Sequence, residues 1–108
     1  MQRICFTLQV RPDRLEEYRE RHAAVAPDMV RALAETGWRD YSLFLRSDGL
    51  VVGYLVADDF DAAQAALART EASRRWEESM ADFFVDTSAE VKQPLAEVFH
   101  LEDQLPAT

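Results

Sequence analysis

The chain has 108 residues, 48% of them apolar and 30% charged, with a formal charge of -8 and one cysteine. That length supplies one domain and one core, and the acidic balance argues against nucleic acid, whose phosphates need clustered Lys and Arg. A lone Cys5 allows neither an intrachain disulfide nor a thiolate metal cluster, and with no leader pattern and no membrane-length apolar run the composition suggests a cytoplasmic protein with a neutral ligand.

In chain order, Ile4, Phe6, Leu8 and Val10 alternate with Cys5, Thr7 and Gln9, the two-residue period of a strand with one buried face. Cys5 has no His or cation beside it and reads as a small packing residue. Pro12 suits a first helical turn and Gly37 a helix stop, so a long helix is expected over Pro12 to Glu35. Pro27 removes an internal hydrogen bond and predicts a kink or break near Ala26. Leu15, Tyr18, His22, Val25, Met29 and Leu33 form the apolar stripe of this helix. Its outer face, with Arg14, Arg19, Arg21 and Arg31 among Glu16, Glu17 and Glu20, reads as a solvated mixed-charge surface in which Arg21 pairs with Glu17.

Trp38 to Leu45 reads as a second strand, with Tyr41, Leu43 and Leu45 on one face and Ser42 and Phe44 on the other. Asp48-Gly49 marks a tight turn, and the nearly continuous apolar run Leu50 to Ala57 predicts a third strand buried on both faces. Asp61 is the expected cap of a short helix to about Arg69. A further helix over Ala72 to Phe84 puts Trp76, Met80 and Phe83 on one side. Val85 to Pro94 reads as a loop and Leu95 to Leu101 as a final strand. The order β, α, β, β, α, α, β is the ferredoxin-like pattern, an α+β fold with helices on one face of an antiparallel sheet. Phe6, Leu8, Phe44, Val52, Tyr54 and Phe99 exceed what one helical layer covers, which predicts a homodimer packed sheet to sheet. Residues 1–104 read as one domain and 105–108 as a flexible tail, with a crossing of the Glu102 to Thr108 segment to a partner as the alternative.

The chemical signal is His22 on an otherwise apolar stripe with Tyr18 one turn before it. Residues four apart share a helix face, so a phenol and an imidazole are offered together to whatever that face covers. Over a cavity the pair is an acid/base site; in a closed core His22 is a structural residue bonded to a backbone carbonyl. His100 reads as a strand-end or interface residue, and two His without matching carboxylate spacing make no metal site.

Tyr18-Arg19-Glu20-Arg21-His22, then Pro27, Gly37 through Tyr41, Arg75-Trp76 with Met80, and Glu97-Val98-Phe99-His100-Leu101 together resemble the L-rhamnose mutarotase family over nearly the whole chain. The resemblance implies a ferredoxin-like chain that dimerises into an α/β barrel and interconverts the anomers of L-rhamnopyranose, an isomerase without metal or cofactor. It implies that His22 is the proton donor and that Tyr18, Tyr41 and Trp76 bind the monosaccharide. As residue types alone, Tyr41 and Trp76 serve equally well as core aromatics. Two departures stand out: Ala26 and Glu77 occupy positions where many or some members carry tryptophan, which predicts a wider or wetter pocket and leaves the sugar open among deoxyhexoses. Two competing readings share the architecture, a non-catalytic sugar-binding module and a cofactor-free monooxygenase.

Overall fold

The structure, a computed structural model, describes residues 1–84 and 92–106. Strands β1 (Gln2–Gln9), β2 (Arg39–Leu45), β3 (Leu50–Ala57) and β4 (Gln93–Leu95) form one antiparallel sheet in the order β2-β3-β1-β4. Among the described residues five α-helices accompany it: α1 (Leu15–Ala23), α2 (Pro27–Glu35), α3 (Phe60–Ala68), α4 (Glu71–Met80) and α5 (Leu101–Gln104). This is the expected α+β, ferredoxin-like arrangement, with β1 and β3 at the centre of the sheet.

The expected long helix is two helices. A 3-10 turn at Pro12–Arg14 leads into α1; Ala24 then leaves helical space at φ -145, ψ 75, and Ala26 is extended at φ -51, ψ 131. Proline disfavours a helical conformation in the residue before it and cannot donate to the preceding turn, so the chain restarts with Pro27 in the first turn of α2. At the far end Gly37 takes φ +100 and turns the chain toward β2. The apolar stripe survives the break, because Tyr18, His22, Val25, Met29 and Leu33 still border one cavity.

Three other boundaries move. Asp59, not Asp61, caps α3, its carboxylate accepting from the Ala62 N–H at 3.1 Å. Thr70 caps α4 through the Ser73 N–H at 3.2 Å, so this helix starts at Glu71 and ends at Met80, before a 3-10 turn at Ala81–Phe83. Of the final strand expected at Leu95 to Leu101 only Leu95 is strand: Gln93, Pro94 and Leu95 pair with Thr7, Phe6 and Cys5, and α5 begins at Leu101. An edge strand containing proline finds no partner on its outer side within one chain. The following segment is tied to β1 instead, Arg3 donating to Glu97 at 2.9 and 3.0 Å and to Asp103 at 3.4 Å. Val85 to Val91 of the expected loop, and residues 107 and 108 of the expected tail, lie outside the described residues.

The sheet has one covered and one open face. Val51, Gly53, Leu55 and Ala57 are buried toward the helices, while their neighbours Leu50, Val52, Tyr54 and Val56 are only half-buried, so β3 alternates rather than being enclosed on both sides. Phe6 and Leu8 also pack on the helix side and do not belong to the open face. That face carries Cys5, Thr7, Val52 and Tyr54 together with Phe44, which is 63% exposed. The core divides into one cluster around Phe6, Met29, Trp38 and Leu55 and another around Val10, Tyr18, Val51, Met80 and Phe83. Leu8, Leu43 and Trp76 touch both, which places them at the seam.

Candidate functional site

A cavity of about 660 Å³ opens along that seam, within the range of ~300–1,000 Å³ usual for small-ligand sites. Tyr18 and His22 reach it from α1, Tyr41 from β2 and Trp76 from α4, so all four residues singled out from the sequence border one space. Trp38, Glu77 and Lys92 border it too.

The α1 pair is closely built. The Tyr18 and His22 rings lie 4.2 Å apart between centroids at 32°, and the indole of Trp76 meets the imidazole edge-on at 5.4 Å and 89°. Phe83 backs Tyr18 at 6.0 Å. His22 Nδ1 lies 2.9 Å from the Tyr18 carbonyl oxygen. A carbonyl only accepts, so Nδ1 carries the proton and Nε2 of the neutral ring keeps a free lone pair. Burial lowers the imidazole pKa below its ordinary 6.5, opposed in part by this backbone hydrogen bond. The ring is therefore neutral at physiological pH and poised to accept a proton at Nε2. The carbonyl bond of the structural reading is present, and it leaves the other nitrogen available.

Tyr41 rests on Trp38 at 4.9 Å and on Phe6 at 6.3 Å. Its position depends on an irregularity in β2: the register with β3 shifts between Arg39 and Ser42, and Asp40 inside the shift has φ 50. A bulge of this kind re-aims the next side chain, and Tyr41 follows Asp40. Burial pushes the Tyr18 phenol up to about 12 and raises that of Tyr41 as well, with the Tyr18 charge adding to the Tyr41 shift. Both phenols stay protonated as hydrogen-bond donors. Among the described residues no buried polar side-chain atom is sealed without a partner and none hydrogen-bonds to either phenol, so both hydroxyls open to the cavity.

Other sequence expectations fall elsewhere. Arg21 does not pair with Glu17, which Arg14 takes at 2.7 Å; its guanidinium lies 5.7 Å from the Phe83 ring centroid. His100 precedes α5, 3.8 Å from Glu102, away from the cavity lining. Cys5 is a half-buried free thiol in the sheet. Among the described residues no group of three or more His, Cys, Asp or Glu could hold a metal ion, and no helix is long and apolar enough to cross a membrane.

Residues 3–101 match the model of the L-rhamnose mutarotase family. The chain belongs to the L-rhamnose mutarotase family. It is 35% identical over 104 residues to an L-rhamnose mutarotase of Burkholderia orbicola, covering 94% of this chain and all of that protein. It is 36% identical over 104 residues to one of Acidiphilium cryptum, covering 94% and 99%. The crystal structure of an L-rhamnose mutarotase from Formosa agariphila superposes with a TM-score of 0.78 at 25% identity, over 93% of this chain and 98% of that one.

The two departures from the family pattern separate in space. Glu77 borders the main cavity, whereas Ala26 borders a second hollow of about 370 Å³ that also touches Trp76, Asp28 and Arg75. Only the first change alters the main cavity itself; the second opens space behind Trp76. Asp28 and Arg75 form an ion pair beside that hollow, joining α2 to α4 across the break. Two site residues escaped the sequence reading. Trp38 stood in the expected second strand and in the Gly37 through Tyr41 segment of the resemblance without being assigned to the site, and Lys92 lies in a stretch without periodicity.

Proposed function

We propose that this protein interconverts the α and β pyranose anomers of L-rhamnose, or of a closely related deoxyhexose, by acid/base opening and closing of the ring. The observation that carries the reading is the imidazole of His22, fixed by a backbone carbonyl with its second nitrogen free, in one cavity with two phenols and two indoles. Donors and acceptors mixed among flat rings suit a polyol, whose C–H faces stack on aromatics while its hydroxyls need partners.

In this mechanism the neutral imidazole takes the anomeric hydroxyl proton at Nε2 while the ring C–O bond breaks and the ring oxygen gains a proton, giving the open-chain aldehyde. Tyr18, stacked on the imidazole, supplies that second proton. Rotation about the C1–C2 bond presents the other carbonyl face. Closure then reverses both transfers: the imidazolium returns its proton to the carbonyl oxygen and the phenolate recovers its own from the attacking hydroxyl. A phenol pushed up to about 12 gives a short-lived phenolate, which favours this return. Trp76 and Tyr41 hold the sugar through stacking and a hydroxyl contact. The cycle consumes nothing and calls on no redox partner.

The same reading includes a cytoplasmic homodimer, a dimeric α/β barrel joined through the open sheet faces. Phe44, Leu95 and Phe99 are 63%, 50% and 60% exposed in the single chain, more apolar surface than a monomer gains by showing to water. Saturation-transfer NMR on equilibrated L-rhamnose tests the activity. Catalytic amounts of protein accelerate exchange between anomers over a buffer blank, most strongly for L-rhamnose among a panel of deoxyhexoses and hexoses. Exchange at the blank rate for the entire panel would refute it.

A further inference from the structure

Lys92 is a cation in an aromatic wall. Its Nζ lies 5.3 Å from the centroid of the Phe6 ring and 5.8 Å from that of Trp38, the two rings on which Tyr41 also rests. Among the described residues no carboxylate stands within ion-pair distance of it and none hydrogen-bonds to it. The ring faces stabilise its charge but satisfy none of its three N–H donors. Nζ is not sealed among the described residues, so its donors open to the cavity, where water or the oxygen atoms of a ligand accept from them. Burial lowers the ammonium pKa and Glu77, exposed at the same cavity, raises it again.

We propose that Lys92 is a further substrate-binding residue, donating from the Phe6–Trp38 wall to hydroxyl oxygens of the same monosaccharide that His22 works on from α1. The inference rests on the proposed mutarotase reading for the identity of the sugar, though not for the existence of the contact. It gives the cavity two functional walls. The α1 side carries out proton transfer, with Tyr18 and His22 against Trp76. The sheet side fixes orientation, with Tyr41 and Lys92 over Phe6 and Trp38. Glu77 contributes as a distant counter-charge that opposes in part the effect of burial on the ammonium, a role tryptophan could not fill.

The test compares Lys92→Met and Lys92→Arg with the wild type in two assays, anomer exchange of L-rhamnose and binding of monosaccharides read by intrinsic tryptophan fluorescence. Methionine keeps length and apolar contact with the two rings but has no donors. Lys92→Met raises KM about tenfold or more, the effect of losing a charge-assisted hydrogen bond, while kcat changes less than about threefold and Lys92→Arg recovers part of the affinity. Because the ring contacts only offset the cost of taking the ammonium partly out of water, Lys92→Met also melts no lower than the wild type. Unchanged KM and sugar affinity in Lys92→Met would overturn the assignment and leave the lysine as ring packing. A wild type that binds a monosaccharide in a Lys92-dependent way without exchanging anomers would uphold Lys92 and overturn the mutarotase reading. A wild type that binds no monosaccharide would overturn both.

Discussion

Gly53→Ala reaches the site through its floor. Gly53 pairs with Phe6 across the central strands, and a Cβ there would sit 2.7 Å from two atoms of the Phe6 ring and closer still to its Cζ. Ordinary carbon contacts begin near ~3.5 Å, so the tip of the ring must retreat by about 1.2 Å. Phe6 is 1% exposed and already bears Tyr41 and Lys92 against its ring, so it cannot retreat freely. Overpacking a core costs ~1–3 kcal/mol, against a gain of ~0.4–1 kcal/mol from the stiffer unfolded chain. A net loss of about 1–2 kcal/mol lowers Tm by roughly 4–16 °C in a domain of this size. Thermal unfolding followed by circular dichroism measures it, and Phe6→Leu in the Gly53→Ala background recovers part of the loss because the flat ring is gone. A Gly53→Ala protein as stable as the wild type would refute the claim that the ring needs that space.

The depressed imidazole pKa of His22 fixes the sign of two pH effects. The unfolded chain binds this proton more readily than the folded one, so His22 contributes stability that is present above about pH 6.5 and falls as the pH drops toward its lower folded value. As the base, the same group places the acid limb of kcat/KM for exchange below pH 6.5; activity that rises as the pH falls through this range would reverse the assigned role. The proposed pairing predicts that the wild type sediments as a dimer at micromolar concentration and that Phe44→Glu, which puts a charge on the open sheet face, sediments as a monomer; a monomeric wild type would contradict the pairing.

Periodicity carries its information only along elements. Tyr18 and His22 were legible as a pair because they lie one helical turn apart, and the ring contact at 4.2 Å is that spacing made physical. Tyr41 and Trp76 were different: their residue types fitted core packing equally well, and only the family resemblance marked them. Their convergence depends on tertiary structure, including the bulge at Asp40, for which the sequence has no periodic sign. Lys92 was invisible for the same reason, a non-periodic residue set against the wall by the short pairing of Gln93, Pro94 and Leu95 with β1. The apolar residues Leu95, Val98, Phe99 and Leu101 imitate a strand, yet one chain offers nothing to pair with most of them. Asp59 and Asp61 lie two apart near the start of α3, and choosing the cap between them takes the backbone geometry rather than residue type.

Anomer exchange by His22→Gln is the most direct test of the central claim. Glutamine keeps a polar group of similar reach beside Tyr18 and Trp76 but cannot carry a proton near neutral pH, so sugar binding persists while exchange falls by roughly 10²–10⁴-fold toward the buffer blank. Saturation-transfer NMR on L-rhamnose, with the variant's affinity measured in parallel by tryptophan fluorescence, reads both quantities. Exchange at the wild-type rate in His22→Gln would contradict the account, because the imidazole would then be a structural residue and the proton would travel by another group.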